Sequence, residues 1–307
     1  MIFKMRSSKI LFNKLNFINK SENIFKNIDS KLAYEDGMRG TIEYIFTKPN
    51  WITRGFIFKN VNWQSANNPY GHGLVRYKYF DENEFPDKIM NVCGQKNTKL
   101  INFFNSHDYL FKNEQLVGNE QGGVFKRSFI SVRIDYLENE LVATLDSFYQ
   151  ELAEKHIKGQ IKFTMISHLI TNPLKKFFNL NIPLSGNCAY FTGLGLKQIG
   201  LVKETSSFPL FLWFKLLYQI KKNNNNYLSV ISYRSIGFLN EPKGALLHPF
   251  YWLRNSYKPI WNLDKFANII VQFKQENDIY TYEITKNEKA IQNIKKIYNK
   301  MKKYIIN

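Results

Sequence analysis

Apolar and polar positions alternate through residues 41–61 (TIEYIFTKPNWITRGFIFKNV), which predicts two strands joined by a turn at Pro49-Asn50. The same β-branched and aromatic content predicts strands over HGLVRYKYF (72–80) and KIMNVCG (88–94), linked by the acidic turn DENEFPD. FISVRIDYL (129–137) predicts another. From residue 138 the apolar period becomes 3.6. ENELVATLDSFYQELAEKHI sets Leu141, Leu145, Phe148 and Leu152 on one face of a helix.

A second helix is predicted over 161–178, ending near Asn179, and the loop NIPLSGN leads into a third that starts near Cys188. Pro209 opens an apolar helix over 208–220, KKNNNN is a polar break, and YLSVISYRSI (227–236) returns to strand character. LLHPFYWLRNSYKPIW (246–261) is aromatic and loop-like, as a packed cover would be. The C-terminus sets Ile291, Ile294, Ile297, Met301 and Ile305 on one face and lysines on the other, an amphipathic basic helix. There is no internal repeat. The expected architecture is α+β: a basic arm over 1–35, then one domain over 36–307 with a C-terminal strand and helix extension.

Composition narrows this picture. At 307 residues, 44% hydrophobic and 16% aromatic, the chain can bury a sizeable core and is not a disordered protein. Its two cysteines, Cys93 and Cys188, exclude a disulfide scaffold and a thiolate-rich zinc site, and a reducing compartment is the simpler setting. Net charge is +18, from 43 Lys+Arg against 25 Asp+Glu. That excess invites nucleic acid or an anionic membrane as partner. Abundant Lys, Asn, Ile and Phe also follow from AT-rich coding, and no RNA-recognition signature, zinc-finger spacing or Arg-rich patch is present. No specific nucleic-acid partner is therefore expected; a mitochondrial nucleic-acid-associated protein rests on charge and the N-terminal arm alone, and would bind with steep salt dependence.

The first 20 residues are basic and acid-free but lack the apolar region and cleavage site of a secretory signal. An intracellular, cytoplasmic protein is expected, with mitochondrial targeting as the alternative. No stretch reaches the roughly 18 uninterrupted apolar residues of a spanning helix.

Five histidines are present, His72, His107, His156, His168 and His248, with no HExxH spacing. GxSxG, Walker A and GxGxxG patterns are absent, and EQGG (120–123) and GLGL (193–196) read as turn or packing glycines. Neither a metal nor a cofactor is expected. Two stretches carry chemistry. In NPYGHGLVRY (68–77), His72 opens a strand between Gly71 and Gly73, which leave the imidazole uncrowded. In SGNCAY (185–190), Cys188 falls in the first turn of a helix, where free amides and the dipole favour the thiolate. A neighbouring imidazole can take its proton, and the same amides can hold an oxyanion. Taken singly, a histidine beside glycines is an ordinary turn residue and a cysteine in an apolar helix is core filler.

Their order along the chain resembles the circularly permuted papain-like arrangement of NlpC-type peptidases and acyltransferases, in which the histidine strand precedes the cysteine helix. NP-x-GH (68–72) and NCAY (187–190) are similar to motifs of the Lnb-type N-terminal periplasmic domain, a family of unknown function in that superfamily. YGHG-VRY, EQGGV and GNCAYFT-GL resemble stretches of uncharacterised plant proteins, covering about residues 68–220, the catalytic-like core.

The resemblance implies a circularly permuted papain-like fold, an antiparallel sheet with the cysteine helix packed against it. It also implies a Cys188 nucleophile and a His72 base. Asn187 or backbone amides near 187–189 would supply oxyanion donors. Asn91, or else Gln95, would orient the imidazole as a third residue, unless the site is a plain dyad. Arg76, four residues along the strand, shares the face of His72 and is a candidate for a substrate carboxylate or phosphate, with a structural ion pair as the alternative. Tyr190 is a candidate substrate contact and, with Phe191, packing for the new helix; Cys93 lacks the helix-end setting. The implied reaction is attack on an amide, ester or thioester through an acyl-enzyme, as a hydrolase or acyltransferase. The substrate would be a small molecule, lipid or peptide. The 208–220 helix, the 246–261 segment and the basic surface lean toward lipid-like substrates and peripheral membrane contact. The competing expectation is a non-catalytic binding or scaffold protein on the same fold.

Overall fold

The computed structural model describes residues 40–47, 50–51, 67–68, 71–79, 87–92, 99–106, 129–164, 168–222, 228–234, 263–276, 279–287, 289–290 and 292–293. Of the predicted strands, five form, while the second strand predicted within 41–61 lies, beyond Trp51, outside the described residues. The five are β1 (Gly40–Thr47), β4 (His72–Lys78), β5 (Lys88–Val92), β7 (Phe129–Leu137) and β10 (Leu228–Arg234). Three more join them: β6 (Ile101–Asn105), β11 (Ile269–Glu276) and β12 (Ile279–Lys286), none of which was predicted. Together they make one eight-stranded sheet in the order β12-β11-β10-β7-β1-β4-β5-β6. All its pairings are antiparallel except β10 with β11. The short strands β2 (Asn50–Trp51) and β3 (Asn67–Asn68) pair separately.

The α-helices between β7 and β10 are, among the described residues, α1 (Asn139–Ile157), α2 (His168–Phe178), α3 (Cys188–Gln198) and α4 (Pro209–Lys222). One face of the sheet presents Ile42, Tyr44, Phe46, Val75, Tyr77, Ile130, Val132 and Ile134 to the core. The period of two puts these on the same side of their strands. Against them α1 packs Val142, Leu145, Tyr149 and Leu152. This stripe lies one residue off the predicted face at two positions, because Tyr149 reaches across to α3 and donates its hydroxyl to the Thr192 carbonyl at 2.8 Å. Helix α3 lies over β4 and β5, and α4 over β1 and β7. The 208–220 segment is thus a core helix: Leu212, Trp213, Leu216 and Leu217 are buried, worth about 1.5–3 kcal/mol each relative to exposure.

The predicted helix over 161–178 is two elements. Residues 161–163 form β8 (Ile161–Phe163), which pairs in parallel with β9 (Leu184–Gly186) inside the predicted NIPLSGN loop. Backbone pairing with 184–186 outweighs the helical period in so short a run. Helical backbone appears again at 289–290 and 292–293. The N-terminal arm, the 246–261 segment and most of the predicted C-terminal helix lie outside the described residues, as do Cys93, Gln95, His107, His248 and EQGG.

Candidate active site

The mouth of β4 is shaped by two glycines. Gly71 takes a φ of +76°, and a Cβ there would also press on the Thr47 carbonyl. A Cβ on Gly73 would overlap the Tyr44 hydroxyl, which donates to the Pro209 carbonyl at 3.0 Å and so ties β1 to the start of α4. These constraints leave His72 half-buried at the first position of the strand, its carbonyl accepting from Thr47 Oγ1 at 3.3 Å.

Asn91 stands on the neighbouring strand. The β4–β5 register pairs Val75 with Met90, so Asn91 falls opposite Leu74, diagonal to His72 and on its face. Its carboxamide oxygen lies 2.6 Å from His72 Nε2. A carboxamide oxygen only accepts, so Nε2 carries the hydrogen and Nδ1 is left for a second partner. The Cys188 thiol is hydrogen-bonded to the His72 side chain, and with Nε2 turned to Asn91, Nδ1 is the nitrogen left to meet it.

Cys188 is the first residue of α3. Asn187 caps the helix: its Oδ1 accepts from the Tyr190 amide at 3.0 Å, and its Nδ2 donates to the Ser207 carbonyl at 2.7 Å. The amides of Cys188 and Ala189 have no intrahelical acceptor in such a turn. Burial alone raises the thiol pKa. The His72 charge, the His72 hydrogen bond and the amides of Gly73 and Ala189 act against burial and prevail, leaving the pKa below the ordinary thiol value. Cys188 as a residue is nonetheless only 8% exposed.

The structure therefore brings Cys188, His72 and Asn91 together and gives Asn187 a different task. Its carboxamide is engaged as cap and tether, so of the two predicted sources of oxyanion donors the backbone amides are the ones aimed at the sulfur. Arg76 is also corrected. It does share the His72 face, but it is 2% exposed and clamped between carboxylates. Nη1 reaches Glu43 at 3.2 Å, and Nε and Nη2 fork onto Asp87. Glu43 in turn accepts from Ser131 Oγ at 2.5 Å and Tyr233 OH at 3.1 Å. This is the structural ion pair, not a substrate contact. Tyr190 is half-buried and stacks on His168 at 5.4 Å between ring centroids.

That stacking belongs to a second layer the sequence did not reveal. His168 Nε2 lies 2.6 Å from Ser207 Oγ, and Nδ1 lies 3.1 Å from Thr164 Oγ1. Through the Ser207 carbonyl on Asn187, this buried histidine braces the start of α3 from behind. Ser207 and His168 sit in unrelated segments, and neither carries a signal by spacing. Among the described residues no group of three His, Cys, Asp or Glu side chains is placed to hold a metal ion, and no helix is long and apolar enough to cross a membrane. The chain matches no protein-family model, no curated protein and no solved structure.

Proposed function

We propose that the protein is a cysteine hydrolase or acyltransferase on a circularly permuted papain-like fold. The observation that carries this is the relay from Asn91 through His72 to Cys188 at a helix N-terminus. The thiolate Sγ adds to the carbonyl carbon of an amide, ester or thioester, and the C=O electron pair moves onto oxygen beside the first-turn amides. Collapse breaks the bond to the leaving group, which takes the proton held on the His72 imidazolium. Water or another nucleophile then gives its proton to His72 and attacks the acyl-sulfur bond, releasing the acyl product and regenerating the thiolate. Asn91 keeps the ring in the tautomer and orientation both steps need.

The low exposure of Cys188 favours the second reading, a non-catalytic binding protein on this fold. One experiment separates them. Purified protein is labelled with a mild thiol probe across a pH series, and each cysteine is read by mass. The expected outcome is rapid labelling of Cys188 at about pH 6, well below the ordinary thiol range near 8.5, and loss of that advantage in His72→Ala. Labelling that follows an ordinary thiol and ignores His72 would sink the enzyme and leave the binding protein.

A further inference from the structure

Helix α2 is amphipathic, but it is mounted inside out. The side turned to the protein carries His168, Thr171, Asn172 and Lys175. Asn172 exchanges hydrogen bonds with the Ser185 backbone, and Lys175 donates to the Ile182 carbonyl. The Thr171 hydroxyl is buried with no hydrogen-bond partner. The side turned to solvent carries Leu169, Ile170, Leu174, Phe177 and Phe178. At 100° per residue these apolar positions cover about half the helix circumference. Phe177 is 81% exposed, Ile170 68% and Phe178 59%. The two phenylalanine rings meet edge to face at 4.8 Å, forming a compact exposed knob. At the other end of α2 the His168–Ser207 hydrogen bond brings the helix beside the first turn of α4, where Phe211 is also exposed. An exposed apolar helix face of this kind marks a place where something docks.

Charge identifies the partner. Residues 155–203, the segment that contains this face, hold seven lysines and no Asp, Glu or Arg. Lys162, Lys176, Lys197 and Lys203 are exposed. An apolar helix face on an acid-free, lysine-bearing segment suits an anionic lipid surface, where the apolar side chains enter the acyl boundary and the lysines meet the headgroups. We propose that the exposed face of α2 docks the protein onto an anionic membrane. This relocates the membrane contact that the sequence suggested for 208–220, a helix whose Leu212, Trp213, Leu216 and Leu217 face the core. Docking does not depend on the reactivity of Cys188; the start of α3 lies behind α2, where Tyr190 packs against His168.

The test uses the full chain and vesicles of phosphatidylcholine, with or without phosphatidylglycerol. Flotation is expected to recover the protein with the mixed vesicles and much less with phosphatidylcholine alone. Ile170→Ser with Phe177→Ser should weaken binding at least about tenfold, since both side chains give up apolar burial. Phe177→Trp, which keeps the face intact, should show a blue-shifted emission when mixed vesicles are added. Cys188→Ala should bind like the parent, so an inert thiol would not count against docking. Failure to float with mixed vesicles, or flotation indifferent to the double substitution, overturns the proposal. So does sedimentation as a dimer that the double substitution dissociates, which would give the face to a second copy. An unshifted tryptophan emission overturns it as well.

Discussion

His72 and Arg76 share one strand and one face, four residues apart, yet their surroundings differ in kind. Arg76 is met by charges: Glu43 and Asp87 take its guanidinium, and Ser131 and Tyr233 complete the shell around Glu43. A buried cation so compensated is stable because its attraction is already spent, and it has little left to offer a ligand. His72 is met instead by an amide oxygen and a thiol, both formally uncharged. Such partners orient the ring and let a proton move between sulfur and nitrogen. The difference teaches that a buried polar residue is read by the charge of its partners as much as by its burial.

The sharpest way to break the comparison is Arg76→Ala. It strands the buried Glu43 carboxylate and should cost about 3–5 kcal/mol in urea unfolding, while the labelling rate of Cys188 per folded molecule stays unchanged. A labelling rate that fell with stability would mean that the two ends of β4 are not separate. Asn91→Ala comes next. Removing the acceptor of a hydrogen bond that supports the charged imidazole is worth about 1.5–3 kcal/mol, so labelling at about pH 6 should slow by about 10–100-fold. An unaffected rate would reduce the site to a dyad.

The smallest effect concerns His168, a histidine held between hydroxyls with no thiol. Burial lowers its pKa, with a hydrogen bond that the ring donates to the Thr164 backbone opposing. The unfolded chain therefore takes up this proton first as pH falls, and stability drops on going below the unfolded value of about 6.5 until the lowered folded pKa is passed. Comparing the urea midpoints of the parent and His168→Gln on either side of that window should show a shallower pH dependence in the variant. Equal slopes would assign the acid sensitivity elsewhere.

Much of this was legible in the chain, and the gaps have physical reasons. Alternation found β1, β4, β5 and β7 because each buries a continuous apolar face. The short strands β8 and β9 escaped because three residues cannot establish a period. Asn91 was visible as a polar residue on the strand after His72. The fate of Arg76 was half visible: spacing set its face, whereas Glu43 and Asp87 come from other segments and only the register delivers them. The His168–Ser207 contact joins residues 39 apart through tertiary packing alone. For α2, spacing gives the width of the apolar stripe but not the direction in which it is mounted.

One consequence follows from the separation of the site along the chain. His72 and Asn91 arrive on β4 and β5, but the sulfur they act upon is made only after β7, α1 and α2. Before β4, β5 and α3 dock, nothing holds the imidazole beside the cysteine, which then has the acidity of a plain thiol. The lowered thiol pKa arises from the docked sheet and α3, so on the proposed function a probe that labels Cys188 rapidly counts finished molecules and passes over the rest.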